Sequence, residues 1–230
     1  MRTLRHLSRF AVLAVTAFSL SACFDLDQKI AIHRDGSGSY QVTIAAEGGI
    51  GEALKNDKKG NGNFLKPNKA AVTVAVKDGK VVKTARVDFK SLGDLSLQNE
   101  SASMTVLGHD WFGLGPAHVR FRRVFLVNEA RAKQTGGKDD DAGQAALAAI
   151  FGNHTYTFAV SLPGSVDRVA PVKINGIEVK PDVTGDFYNG HTITWKMPLT
   201  MLMESKSLVF EADFSAYGSF ADAKTKPADH

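Results

Sequence analysis

Apolar residues recur at every second position through much of this chain. Ile30 and Ile32, then Tyr40, Val42 and Ile44, then Val72, Val74 and Val76, and later Ile193, Trp195 and Met197 follow that spacing. Period two is the pleat of a strand with one buried face. Glycine-bearing turns separate neighbouring runs, and short turns join antiparallel partners. The pattern therefore predicts an α+β fold. Its body is a mainly antiparallel β-sheet built from hairpins, with two or three short helices packed on it.

Three hairpins can be read in register. In residues 29–46, a three-residue loop Gly36-Ser37-Gly38 sets Ile32 opposite Val42 and Ile30 opposite Ile44. A two-residue loop would put Ile32 opposite Gln41, on the wrong face. Asp78-Gly79 joins the valine run to a return strand carrying Val87 and Phe89 on the matching face. Asn175-Gly176 favours a type I′ turn, setting Ile174 opposite Ile177, Lys173 opposite Glu178 and Val172 opposite Val179. Further strands are expected at 103–107, 118–127, 154–162, 191–197 and 207–214. Short helices are expected at 48–55, at 145–151 behind the capping-box spacing of Asp141 and Gln144, and for one turn after Pro198. Residues 91–100 have no clear period and allow another short helix. Residues 56–63 read as a polar, glycine-rich loop, and 111–116 as an aromatic, glycine-rich turn. Residues 130–143 form a connection of low hydrophobicity.

The start of the chain has a different character. Arg2, Arg5 and Arg9 precede an uncharged apolar run over 10–20, and small residues lead on to Cys23. This is the layout of a secretory signal peptide. The run falls short of the roughly 20 apolar residues that cross a bilayer. Leu20-Ser21-Ala22-Cys23 resembles the lipobox of bacterial lipoproteins. The resemblance implies cleavage before Cys23, a diacylglyceryl group on its thiol and an acyl chain on the new amino terminus. One chain anchors marginally and two or more hold. Phe24 follows, where an Asp would resemble an inner-membrane retention signal. The expected location is the cell envelope: the outer membrane facing the periplasm, if the host is Gram-negative. The expected organisation is a cleaved signal peptide over 1–22, one α+β lipoprotein domain over 23–218 and a flexible tail over 219–230.

Processing changes the charge. Lys and Arg together number 28 against 24 Asp and Glu, and three of the arginines leave with the signal. The remainder is near neutral, which removes the clustered basic surface that nucleic-acid binding needs. Cys23 is the single cysteine. Once it is acylated, disulfides, thiolate metal sites and cysteine nucleophiles are all excluded. Stability then rests on an apolar core, which 43% hydrophobic residues and fourteen Phe can supply.

No constellation points firmly to catalysis. Gly49-Ile-Gly51 lacks the third glycine of a dinucleotide fingerprint, since Leu54 stands there. Asp35-Gly36-Ser37-Gly38 lacks the remaining ligands of a calcium loop and reads as a turn. Asp139, Asp140 and Asp141 read as a solvated acidic run. His33, His109, His118, His154, His191 and His230 show no i, i+4 pair and no His-Glu-x-x-His. His109-Asp110 is an oriented base with no nucleophile motif to serve. No catalytic residue, metal or cofactor is expected. The most distinctive stripe is His118, Arg120 and Arg122, which share one strand face. Their forks suit phosphate or carboxylate groups, and the plain alternative is a solvated face paired with acids. Trp111 and Phe112 beside them either dip into an interface or plug the end of a core.

A lipobox cysteine, a strand, Asp35-Gly-Ser-Gly38 and a second strand begin the mature chain. Phe158-Ala-Val-Ser-Leu-Pro-Gly164, a hairpin, Thr192-Ile-Thr-Trp-Lys-Met-Pro-Leu199 and a closing strand end it. This arrangement resembles the LppM-type domain of bacterial lipoproteins over the first hairpin and the final third. The resemblance implies an antiparallel α+β domain with a lipid- or envelope-associated role and no catalytic residues. The expected function is a lipid-anchored, non-enzymatic envelope lipoprotein. It would bind a lipid or other envelope ligand in a cavity, with Trp111, His118, Arg120 and Arg122 at the site. An interaction subunit of an envelope protein assembly is the alternative, and a hydrolase using His109 or His154 a third.

Overall fold

The computed structural model describes residues 24–56, 70–97, 100–111, 114–126, 154–186 and 190–227. Residues 1–23, with the expected signal peptide and Cys23, residues 57–69, Phe112, the acidic run, the helix expected at 145–151 and His230 lie outside them. Two sheets face each other. The larger has seven strands: β1 (Phe24–Ile32), β2 (Gly38–Ala46), β3 (Ala71–Lys77), β4 (Lys80–Phe89), β8 (Thr155–Leu162), β12 (Asp182–Asp186) and β13 (Gly190–Pro198). Their spatial order is β12-β13-β8-β1-β2-β4-β3. The smaller has five strands: β6 (Glu100–His109), β7 (Ala117–Leu126), β9 (Ser165–Val169), β14 (Ser207–Ala216) and β15 (Ala223–Lys224), ordered β15-β6-β7-β14-β9. Two small ribbons complete the set. β10 (Val172–Ile174) pairs with β11 (Ile177–Val179), and β5 (Ser96–Leu97) with β16 (Lys226–Pro227). Pairing is antiparallel except for β1–β8 and β5–β16.

Two α-helices occur among the described residues, α1 (Gly48–Asn56) and α2 (Leu199–Glu204), and residues 92–94 form a 3₁₀ turn capped by Ser91 and Asp94. What covers the large sheet is thus mainly a second sheet rather than helices. The alternation explains why. Phe121, Phe210 and Phe214 project inward from β7 and β14, while Tyr156, Phe158 and Trp195 project inward from β8 and β13, all fully buried. Phe158 touches Phe210 at 4.6 Å between ring centres and stacks on Trp195 at 5.7 Å. Two such faces remove more apolar surface from water against each other than short helices could.

A fully buried charge sits in this core. Arg123 follows Val119 and Phe121 on the inward face of β7 and has no exposed surface. Its guanidinium lies 4.2 Å from the centre of the Phe158 ring. Nε donates to Glu100 Oε2 at 2.8 Å and Nη1 to the Tyr156 hydroxyl at 3.3 Å, while Nη2 donates to Gln28 and Glu100. Tyr156 in turn donates to Gln28 Oε1 at 2.7 Å, and Tyr40 to Glu100 Oε1 at 3.2 Å. Burial alone would lower the Arg123 pKa, but Glu100, Tyr156 and Tyr40 together more than reverse that, and the net direction is upward. Burial pushes the Tyr156 hydroxyl up to about 12. No buried side-chain polar atom among the described residues lacks a partner. The network therefore avoids the penalty of a half-satisfied buried charge.

Several expectations need correction. The first hairpin pairs Ile32 with Gly38 and Ile30 with Tyr40, not with Val42 and Ile44. Its loop runs over 33–37, closed by His33 N–H to Ser37 O at 2.8 Å, and Asp35 Oδ1 accepts from Ser37 N at 3.0 Å. The facing survives because the partner shifts by an even number of residues. Strand β1 also begins five residues earlier than expected. The valines of β3 are exposed, since the core between the sheets ends at Val87 and Phe89 of β4 and the edge strand overhangs it. The segment after β14 is docked rather than frayed: Phe220 packs edge-on to Phe214, and buried Thr225 bonds to Ala102 through both N–H to O (2.9 Å) and Oγ1 from N–H (3.0 Å). The 172–179 hairpin has the expected register, with Asn175 and Gly176 both at positive φ.

Candidate functional site

The distinctive stripe of β7 lies on the outer face of the five-stranded sheet. Register decides its company. In the antiparallel β7–β14 pair, His118 stands opposite Ser215, Arg120 opposite Asp213 and Arg122 opposite Glu211. Arg120 grips Asp213 with both prongs, Nε to Oδ1 at 2.7 Å and Nη2 to Oδ2 at 3.1 Å. Arg168 reaches from β9 to Glu211 at 2.7 Å and Asp213 at 3.1 Å, and Arg122 Nε lies 3.7 Å from Glu211. The hydrogen bonds from Arg120 hold the Asp213 carboxyl below its ordinary range, and Asp213 raises Arg120 in return. The arginines thus face away from the inter-sheet core, toward carboxylates. The matching alternation of Glu211, Asp213 and Ser215 along β14 was the signal that could have revealed this pairing.

His118 stands at the head of the stripe, bridging three segments. Its Nε2 lies 2.8 Å from Asp110 Oδ1 in the β6–β7 turn, and its Nδ1 lies 2.7 Å from Ser215 Oγ. Ser215 Oγ also donates to Asp167 Oδ2 at 2.5 Å. Two bulges frame the histidine. Leu107 is the extra residue between Val106 and Gly108 of β6, and Asp167 the extra residue between Val166 and Arg168 of β9. Such insertions re-aim side chains, and here they bring Asp167 beside Ser215. A serine, a histidine and an aspartate share one hydrogen-bonded chain, and two local features set its chemistry. The serine proton is directed at Asp167. Strand β14 is flanked by β7 and β9, so the amides around Ser215 serve the ladders rather than a developing oxyanion.

The turn beyond His118 is the most exposed apolar feature described. Trp111 is 83% exposed and Leu114 is 88% exposed. Trp111 adopts φ 50°, a left-handed conformation that a bulky residue enters at a cost of about 1–3 kcal/mol. The turn is held by Gly115 N–H to Asp110 O at 2.9 Å and Leu114 N–H to Trp111 O at 3.0 Å. A Cβ at Gly115 would come within 2.6 Å of Asp110 Cβ, so only glycine fits there. Trp111 therefore does not plug the core.

Strand directions place this turn. Ile32 and Leu162 end their parallel strands at one end of the sandwich, and Gly164 there lies against Ser215 and Ala216, opposite Ala117. The Trp111 turn is at that end. Phe24, Ala46, Thr155 and Pro198 are at the other. Phe24 N–H donates to His154 Nδ1 at 2.8 Å, and Leu199 N–H to His154 O at 2.7 Å, so buried His154 ties the start of β1 to α2. His109 is exposed at the end of β6. A shallow cleft at the Trp111 end is lined by Arg34, Ser161, His191 and Thr192, and there Ser161 bonds Thr192 at 2.9 Å and His191 bonds Gly164 O at 2.8 Å. Among the described residues no group of three His, Cys, Asp or Glu could hold a metal. No described helix is long and apolar enough to cross a membrane.

No family model matches this chain, and no curated protein does. Among solved structures, the folded domain of the Mycobacterium tuberculosis LppM protein is similar at 15% identity, covering 85% of this chain and 94% of that one, with a TM-score of 0.41. A candidate protease from Parabacteroides distasonis is similar at 8% identity, covering 84% of this chain and 40% of that one, with a TM-score of 0.32.

Proposed function

We propose that this chain is a lipid-anchored envelope lipoprotein without catalytic activity, and that it serves as an interaction subunit of an envelope protein assembly. One observation carries the reading. Phe24, the residue after the lipobox cysteine, is already the first residue of β1, while the exposed Trp111 turn lies at the opposite end. Acyl chains on Cys23 then seat the Phe24 end on the membrane with no linker between. A strand of nine residues spans about 30 Å, so Trp111 and Leu114 are presented away from that membrane. Exposed tryptophan on a short turn is the chemistry of a protein-docking anchor. The carboxylate partners of Arg120 and Arg122 weigh against an anionic lipid headgroup there. With Phe24 in place of an Asp, the anchoring membrane is the outer one if the host is Gram-negative.

The test uses the full-length lipoprotein in intact envelopes, with a photoreactive phenylalanine replacing Leu114 or, as a control on the far edge of the large sheet, Val183. A discrete protein adduct at Leu114 that is lost with Trp111→Ala and absent at Val183 is the expected result. Lipid adducts alone at Leu114, or equal protein adducts at both sites, overturn the reading.

A further inference from the structure

We infer that His118 is a proton-operated clasp that fixes the Trp111 turn to the five-stranded sheet, making the presentation of that turn sensitive to pH. The inference rests on the reading of the turn as a docking element, and it concerns how that element is held.

Proton counting carries it. The chain Asp110–His118–Ser215–Asp167 has three links, at 2.8, 2.7 and 2.5 Å. Each link needs one proton between its two heavy atoms. Ionised carboxylates supply none and a serine hydroxyl supplies one. Ser215 gives its proton to Asp167. Both remaining links therefore draw on His118, and only the imidazolium has two N–H groups. In that form Nε2–H donates to Asp110, Nδ1–H donates to the Ser215 oxygen, and Ser215 donates onward to Asp167. Remove one proton and one link must break, whichever tautomer remains. The charge balance agrees with the count. Asp110 faces the ring from the turn and Asp167 from β9, with Asp167 Oδ2 3.7 Å from Nδ1. From β14 the facing group is Ser215, and β6 presents Gly108. Arg120, the nearest cation along β7, is engaged by Asp213, as is Arg168 on β9. The hydrogen bond that Asp110 accepts raises the His118 pKa above its ordinary value, with Asp167 adding to it.

The sign follows. A histidine stabilised as its cation in the folded state contributes fully below its ordinary pKa of about 6.5, and the contribution is lost as pH rises through the raised value. The clasp is closed in mildly acidic surroundings and opens in alkaline ones. What it closes is specific. Asp110 is the first residue of the turn, and its carbonyl also holds Gly115 N–H. Pinning its side chain to the sheet helps keep Trp111 in its left-handed conformation.

Hydrogen exchange on the full-length lipidated chain in nanodiscs tests this without any partner. The readout is protection of the Leu114 and Gly115 amides, corrected for intrinsic rates and referenced to Trp195 in β13. Between pH 5.5 and 8.5 their protection should fall about tenfold, the scale of one charge-assisted hydrogen bond. His118→Gln should abolish that pH dependence, and Asp110→Asn should shift its midpoint to lower pH. Ser215→Ala, which cuts the path to Asp167, should shift the midpoint by less. Protection that does not change with pH, or that changes equally in His118→Gln, overturns the clasp. Because no partner is present, failure here is separate from failure of the crosslinking experiment.

Discussion

Arg123 shows how one residue can set the character of a core. Its neighbours two and four positions back are Phe121 and Val119, so alternation alone assigns it to the buried face, where a charge is costly. It is tolerated because Gln28, Tyr40, Glu100 and Tyr156 supply polar atoms from four other strands. Removing it strands Glu100. Arg123→Ala should therefore lower stability by about 3–5 kcal/mol in urea unfolding. Arg123→Ala with Glu100→Ala should lose clearly less than the sum of the two single changes. Purely additive losses would show that the pair is not coupled. Thr225 makes the same point on a smaller scale. Thr225→Val removes the acceptor for the Ala102 amide and should cost about 1–2 kcal/mol. An unchanged melting temperature would mean that residues 219–227 are not docked in solution.

At the scale of elements, turn chemistry decided what could be read. Asn175-Gly176 is a two-residue turn whose positive φ values specify both loop length and register, so the pairing of 172–179 followed from sequence. The 33–37 loop has no such constraint. Its Asp35 side chain bonds Ser37 at both N and Oγ, and this local bonding lengthens the loop by competing with the ladder. Hence the facing was legible and the register was not. Glycine substitutions separate two kinds of turn. Gly176→Ala meets only the left-handed backbone penalty, about 1–2 kcal/mol, because nothing lies within 4 Å of the new Cβ. Gly164→Ala adds a contact of 2.3 Å to Ser215 O where the chain passes from one sheet to the other. It should destabilise by roughly 2 kcal/mol or more beyond Gly176→Ala in the same denaturant series. Equal losses would contradict the tight crossing at Gly164.

For the whole molecule, the absence of a linker between Cys23 and β1 makes orientation measurable. A fluorophore on Asp78→Cys, in the β3–β4 turn at the Phe24 end, should transfer energy efficiently to acceptors at the bilayer surface. The same label on Leu114→Cys should sit about 30 Å farther away. With Cys23 acylated as proposed, the introduced thiol is the only one to label. Equal transfer from both sites would show a molecule lying flat and would remove the distal role of the Trp111 turn.

Period-two alternation, the turn residues and the placement of the lone cysteine were determined by sequence, because each depends on neighbours within a few positions. They yielded the strands, most buried faces and the expectation of an anchor. Which strands meet depends on contacts between residues tens to more than a hundred positions apart, and the tertiary structure alone decided that. It matched the arginine stripe of β7 to the acids of β14, placed Arg123 among Gln28, Tyr40, Glu100 and Tyr156, and set a second sheet against the first. It also drew Ser215 and Asp167 to His118. Local pattern fixes which way a side chain faces; only packing across the fold decides what it faces.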